Sequence, residues 1–155
     1  MNFKPEMKSK EELAKGEPKY ESVTEYMVGV ANLITFHPDQ TIQEVIDTII
    51  QTGISGAPVL DKDRKLVGII SEKDCLKVMV DQAYNNMPTS DRKVSDYMTA
   101  KVKTLSPDSD VVQAANEFLI SPIRRLPIVE NDVLLGQVSR RDILRAAKNI
   151  KQTTW

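Results

Sequence analysis

Two short polar strings hold the groups best suited to chemistry in this chain. They are Ser71-Glu72-Lys73-Asp74 and Ser139-Arg140-Arg141-Asp142, each with a glycine, Gly68 or Gly136, three residues ahead of the serine. Taken locally, a serine followed three residues later by an aspartate is a helix N-cap with its N3 partner, which steadies a helix without any ligand. Taken chemically, the same geometry is a binding device. A helix N-terminus presents free backbone N–H groups and partial positive charge, which suits a phosphate. The serine hydroxyl adds a donor. A carboxylate accepts two hydrogen bonds, so one aspartate can hold the 2′- and 3′-hydroxyls of a ribose. The occurrence of the string twice, at equivalent places, argues for more than a cap.

Other chemistry finds little support. The single histidine, His37, stands beside Pro38 and reads as a loop residue. The single cysteine, Cys75, follows Asp74 in the first turn of a helix and reads as a packing residue. A Cys-His or Ser-His-Asp arrangement is not supported by one histidine placed there. A zinc site needs several Cys, His or carboxylate ligands at suitable spacing, and none is found. The expectation is a protein that is not an enzyme and requires no metal or cofactor.

The elements that position the two strings come from an internal repeat. Pro38 and Pro58 recur as Pro107 and Pro127 at an offset of 69, while Gly68, Ser71 and Asp74 recur as Gly136, Ser139 and Asp142 at an offset of 68. The slip of one residue falls in the polar stretch DKDRK against ENDV, where a hairpin loop absorbs a deletion. Upstream, VTEYM at 23–27 matches VSDYM at 94–98. Thr41-Ile42-Gln43-Glu44 is a capping box, followed by apolar residues at Ile42, Val45, Ile46, Ile49 and Ile50, one face of a helix. Asp110 repeats the cap, and Val111, Ala114, Ala115, Phe118 and Leu119 repeat the face. Gly53 and Pro122 mark the helix ends. Then APVL and LVGIIS, or LPIV and LLGQVS, read as strand, hairpin, strand. Second helices are expected from about Glu72 to Ala83 and from about Arg140 to Asn149. The fold class is α/β (α+β): tandem β-α-β-β-α units, which packed sheet to sheet would share one core. The expected divisions are an N-terminal arm 1–22, a first unit 23–83, a linker 84–93, a second unit 94–150 and a tail 151–155. MKSKEELAKG in the arm is expected to form a helical turn or two.

The bulk composition closes off several classes. The 155 residues carry 21 Lys+Arg against 22 Asp+Glu, a formal net charge of −1, so nothing draws the whole chain to nucleic acid or an anionic membrane. No apolar run approaches the roughly 20 residues that span a bilayer. The charged N-terminus lacks the apolar core of a signal peptide, and a cytoplasmic location is expected.

GIISEKD and GQVSRRD resemble the nucleotide motif of CBS domains, G-h-x-[ST]-x-x-D. ISGAPVLD and IRRLPIVE resemble the strand that precedes it, and ITFHPDQTI and VKTLSPDSD the family's leading strand. The resemblance spans roughly residues 23–149. It implies a pseudo-twofold pair with two clefts between the sheets, whose usual ligands are AMP, ADP, ATP, S-adenosylmethionine or NAD. By resemblance, Asp74 and Asp142 hold ribose, and Ser71 and Ser139 meet the phosphate or the ribose side. Thr35 and Thr104 line the clefts, while Ala57 and Leu126 lie near adenine. Arg125 matches a phosphate-facing basic position of the regulatory γ subunit of AMP-activated protein kinase, where IRRLP resembles its H-R-L-P segments. Lys73 and Arg141, each preceding the ribose aspartate, are by the same resemblance further phosphate candidates. The implied function is a regulatory module that senses an adenine nucleotide, AMP foremost and ADP or ATP next. It would act on an effector protein as a homodimer. The alternatives are a dimerisation or scaffolding module with empty clefts, or a site for S-adenosylmethionine or NAD.

Overall fold

The computed structural model describes residues 20–88 and 91–150. The helical turn expected in MKSKEELAKG and the tail 151–155 lie outside the described residues. In chain order the elements are β1 (Val28–Gly29), α1 (Ile42–Thr52), β2 (Gly56–Leu60), β3 (Leu66–Ser71) and α2 (Glu72–Asn85). They are followed by α3 (Val94–Tyr97), α4 (Val111–Ile120), β4 (Arg125–Glu130), β5 (Val133–Ser139) and α5 (Arg140–Ala147). Short 3-10 turns at Val23–Glu25 and Val30–Asn32 flank β1.

Local sequence explains most helix ends. Asp110 and Gln113 make the reciprocal bonds of a full capping box at α4. At α1 only half of the expected box forms. Thr41 accepts from the Glu44 amide at 3.3 Å, but the Glu44 carboxylate accepts from Gln40 Nε2 at 3.0 Å instead of closing back on the cap. The first helix stops where Gly53 turns left-handed, at φ 74°, and its N–H reaches Ile49 O at 2.9 Å. Helix α2 runs two residues past the expected Ala83, through Asn85, and α5 stops at Ala147, short of Asn149.

Each copy makes an antiparallel hairpin, β2–β3 and β4–β5, and each first strand is irregular at the same place, Val59/Leu60 and Ile128/Val129. The slip of one residue does fall in the hairpin loops. Copy two turns through Asn131 and Asp132, both at positive φ, as a two-residue hairpin requires. Copy one needs a longer loop, with the Asp61 carboxylate accepting from the amides of Asp63 and Lys65 at 2.8 and 2.9 Å. The leading strands shrink to single parallel bridges, Phe36 with Val59 and Leu105 with Ile128.

The segments ahead of the two copies cross over. Val28 and Gly29 pair with Gln137 and Gly136 of copy two, completing the sheet order β1-β5-β4. Thr99, ahead of copy two, pairs with Ile69 of copy one. The burial follows the pairing. Val23 packs with Val111, Ala114, Phe118, Leu126, Ile128, Val138, Ile143 and Ala146. Val94 packs with Phe36, Ile42, Val45, Ala57, Val59, Ile70 and Val78. The expectation of one shared core is therefore corrected. There are two cores, one per copy, and each is completed by a valine from the segment leading the other. The reason is geometric: the buried face of each sheet is covered by its own two helices, and its edge strand by the crossing segment.

Candidate functional site

The repeat motif forms the same device twice. Ser71 caps α2, accepting from the Asp74 amide at 3.4 Å, and its own amide and hydroxyl donate to Asp74 Oδ2 at 2.9 and 3.0 Å. Ser139 and Asp142 repeat this at α5, with the corresponding bonds at 3.2, 2.7 and 3.0 Å. Both aspartates are buried, with 5% and 6% of their surface exposed, and they are the two buried charged residues among those described. The cap expected from sequence is thus built in both copies. The other carboxylate oxygens differ. Asp74 Oδ1 faces Lys77 Nζ at 3.7 Å, beyond hydrogen-bond distance, whereas Asp142 Oδ1 accepts from Arg145 Nη2 at 2.5 Å.

A cleft of about 460 Å³ opens between the copies. Copy one supplies Ser55 to Pro58 at the start of β2, Ile69 and Ser71 of β3, and Glu72 and Lys73 of α2; copy two supplies Pro122 to Arg125 and Gln137. Arg125 Nη1 donates to Gly56 O at 3.5 Å. Gly56 and Arg125 are equivalent positions in the repeat, so this contact straddles the pseudo-twofold axis. A Cβ on Gly56 would stand 2.9 Å from Ile70 O, so the position admits no side chain, and the arginine of the other copy lies across it. Among the described residues no carboxylate lies within ion-pair distance of Lys73, Arg124 or Arg125. Among the described residues, these three cations against Glu72 leave the cleft with an excess of positive charge.

Of the residues singled out in the sequence, Ala57, Ser71, Lys73 and Arg125 line this cleft. Asp74 stands directly behind Ser71, held by it. Leu126 is fully buried in the core of copy two. Thr35 and Thr104 are half-buried beside the bridging residues Phe36 and Leu105 and do not line the cleft. Ser139, Arg141 and Asp142 belong to the equivalent position across the axis, outside this cleft. Sequence reasoning passed over Ile69 and Gln137, and left Arg124 between a phosphate contact and a solvated strand edge. The signal for the first two was strand alternation: Ile70 and Val138 are fully buried, so residues one position away face the cleft.

Cys75 is half-buried, and burial, then Asp74 and Glu72, raise its thiol pKa above the ordinary value, as befits a packing residue. His37 is a loop residue whose Nδ1 accepts from the Asp39 amide at 3.2 Å. No group of three or more metal-ligating side chains occurs among the described residues. None of the described helices is long and apolar enough to cross a membrane.

The family described as "CBS domain" matches residues 23–81 and 94–149, and the chain belongs to that family. It is 35% identical over 122 residues to inosine-5′-monophosphate dehydrogenase of Methanocaldococcus jannaschii, covering 78% of this chain but only 23% of that enzyme. The crystal structure of CBSX2 in complex with AMP, an Arabidopsis thaliana CBS-pair protein, superposes with a TM-score of 0.74. It is 28% identical and covers 86% of this chain and 99% of that one. The CBS domain pair of protein MJ0100, solved with 5′-methylthioadenosine and S-adenosyl-L-methionine, is 27% identical with a TM-score of 0.67, covering 85% of this chain and 99% of that one. The chain is therefore a pair of CBS domains with a mixed α/β fold.

Proposed function

We propose that this CBS pair is a regulatory module that binds an adenosyl nucleotide, AMP foremost, and passes its occupancy to an effector protein. The carrying observation is the cleft between the copies, where Lys73, Arg124 and Arg125 converge without carboxylate partners next to the Ser71 hydroxyl. In this reading the cations meet the phosphate, Asp74 is the ribose acceptor of this cleft, and Asp142 is that of the equivalent position across the axis. Ala57 and Leu126 mark the adenine side, with Thr35 and Thr104 behind it. The likeness to a CBS pair solved with AMP supports the ligand class. The likeness to one solved with S-adenosylmethionine keeps that ligand as the competing choice. In this reading the Ser71–Asp74 pair serves as helix cap and ligand contact, and no catalytic step is assigned to it.

A ligand that binds only the folded state raises its apparent stability. Thermal melts with AMP, ADP, ATP, NAD and S-adenosylmethionine are expected to show the largest rise with AMP. If none of the five moves the melting temperature at millimolar concentration, the binding reading is wrong and the scaffolding alternative stands. A homodimer is part of the same reading, supported by Leu76, Met79 and Val80 on α2 and Leu144 on α5, all exposed. Light scattering is expected to give twice 17.4 kDa, and a monomer at micromolar concentration would remove the dimer from the proposal.

A further inference from the structure

The repeat makes the two motifs look interchangeable, and three differences show that they are not. The first is the cleft itself, which is bounded by Ser71, Glu72 and Lys73 of copy one and not by Ser139 to Arg141. The second is the source of positive charge. Arg124 and Arg125 of copy two reach this cleft, whereas the equivalent positions in copy one, Ser55 and Gly56, carry no charge to return. The third lies in the aspartates. Oδ2 of each is taken by its capping serine. Oδ1 of Asp142 is also taken, by Arg145, while Oδ1 of Asp74 has only the Lys77 ammonium at 3.7 Å, on a side chain that is 62% exposed.

Lys77 and Arg145 occupy the same place in the repeat, 68 residues apart. The difference between the copies is thus a lysine in one and an arginine in the other. A guanidinium is planar and preorganised to bond a carboxylate, whereas an ammonium on a flexible stem gives way more easily. A ribose diol needs carboxylate lone pairs that are open. Among the described residues, Asp74 Oδ1 accepts no hydrogen bond, whereas Asp142 Oδ1 already has one of its two lone pairs taken, so accepting both diol hydroxyls there requires releasing Arg145.

We propose that the two nucleotide positions are unequal by construction: the copy-one motif, Ser71 with Asp74, takes one adenosyl nucleotide per chain, and the Arg145–Asp142 pair closes the copy-two motif to a second. The inference rests on the adenosyl-binding reading above and adds to it the stoichiometry and the residue that sets it. Giving up one charge-assisted hydrogen bond weakens binding by about tenfold or more, so the second position fills only well above the concentration that fills the first.

Titration calorimetry of the full chain with AMP tests this, with circular dichroism melts as the folding control. The wild type is expected to bind one AMP per chain. Asp74→Asn retains a cap acceptor and is expected to weaken that binding at least about tenfold, from the loss of one charged acceptor. Arg145→Gln, at an exposed side chain, is expected to raise the stoichiometry from one toward two, and adding Asp142→Asn to it is expected to remove the gained site. Two equal sites in the wild type, an unchanged first site in Asp74→Asn, or a stoichiometry still at one in Arg145→Gln would each overturn the proposal while leaving adenosyl binding intact. Binding of no AMP by the wild type would instead sink the binding reading, and this inference with it.

Discussion

At the scale of single residues, the cleft is a place where charge and hydrogen bonding are divided between the copies. Arg125 is half-buried, and the one hydrogen bond described for its side chain is a long one to a carbonyl, with no carboxylate at ion-pair distance among the described residues. In the proposed complex it faces the phosphate and not the nucleoside. Arg125→Ala is therefore expected to weaken AMP by about tenfold, the worth of one charge-assisted bond, and to leave adenosine nearly unchanged. Raising salt should cost AMP affinity more in the wild type than in the variant, since screening acts on the charged contact. Calorimetry of both ligands checks it, and an equal loss for AMP and adenosine would make Arg125 structural. Much of this was legible in the sequence. Ser71, Lys73 and Arg125 stand out by type and by their place in the repeat, and all three line the cleft. The partners of the aspartates were not legible, because Lys77 and Arg145 look alike as helix cations until their distances to a carboxylate are known.

At the scale of elements, what the sequence reveals depends on how local the interaction is. The caps at Thr41, Ser71, Asp110 and Ser139 all form, because each needs only the next three residues. The failure of Glu44 to close its box is a competition with Gln40, a nearby residue that the T-x-x-E pattern does not weigh. The strand β1 was beyond reach, since Val28 and Gly29 pair with residues more than a hundred positions away. The glycines of the nucleotide motif carry the trace of this pairing. A Cβ on Gly136 would stand 2.5 Å from Val28 O and 2.9 Å from Met27 Sδ, and one on Gly68 would stand 2.7 Å from Met98 Sδ and 2.9 Å from Thr99 O. These glycines thus serve the approach of the crossing segments, a role that the motif's resemblance to a nucleotide site conceals. Gly136→Ala forces the segment off its sheet and is expected to destabilise the chain by about 1–3 kcal/mol, the usual cost of overpacking. Urea unfolding would show this as a lower midpoint at unchanged slope, and a midpoint equal to the wild type would mean that the segment is not held tightly there.

At the scale of the whole molecule, the crossing makes one unit out of two repeats. The repeat reads along the sequence as two self-contained modules, but neither core closes without the other module's leading valine. The backbone ties agree: Val23 N donates to Ser109 O at 2.9 Å, and Val94 N donates to Gln40 O at 2.9 Å. The hairpins also touch, with Leu66 N donating to Asp132 O at 2.9 Å. In the proposed reading, a ligand in the cleft would touch both copies, whose cores already share their closing pieces, and its occupancy would have a route to surfaces on both. The crossing has a testable signature. Val23 and Val94 are each fully buried, and truncating either to alanine removes two methyl groups from a packed site, at a cost of about 1–3 kcal/mol. If the cores are assigned correctly, the damage falls on the distant copy. In Val23→Ala, amide hydrogen exchange is expected to rise first in α4 and α5, whose Val111, Ala114, Ile143 and Ala146 it packs against. In Val94→Ala, exchange is expected to rise first in α1 and α2, around Val45 and Val78. Unfolding of both variants in urea should remain a single transition, because loosening one core withdraws the segment that closes the other. Faster exchange confined to the copy whose sequence the substituted valine leads, α1 and α2 for Val23 or α4 and α5 for Val94, would show that each leading segment serves its own module and that the interlocked arrangement is wrong.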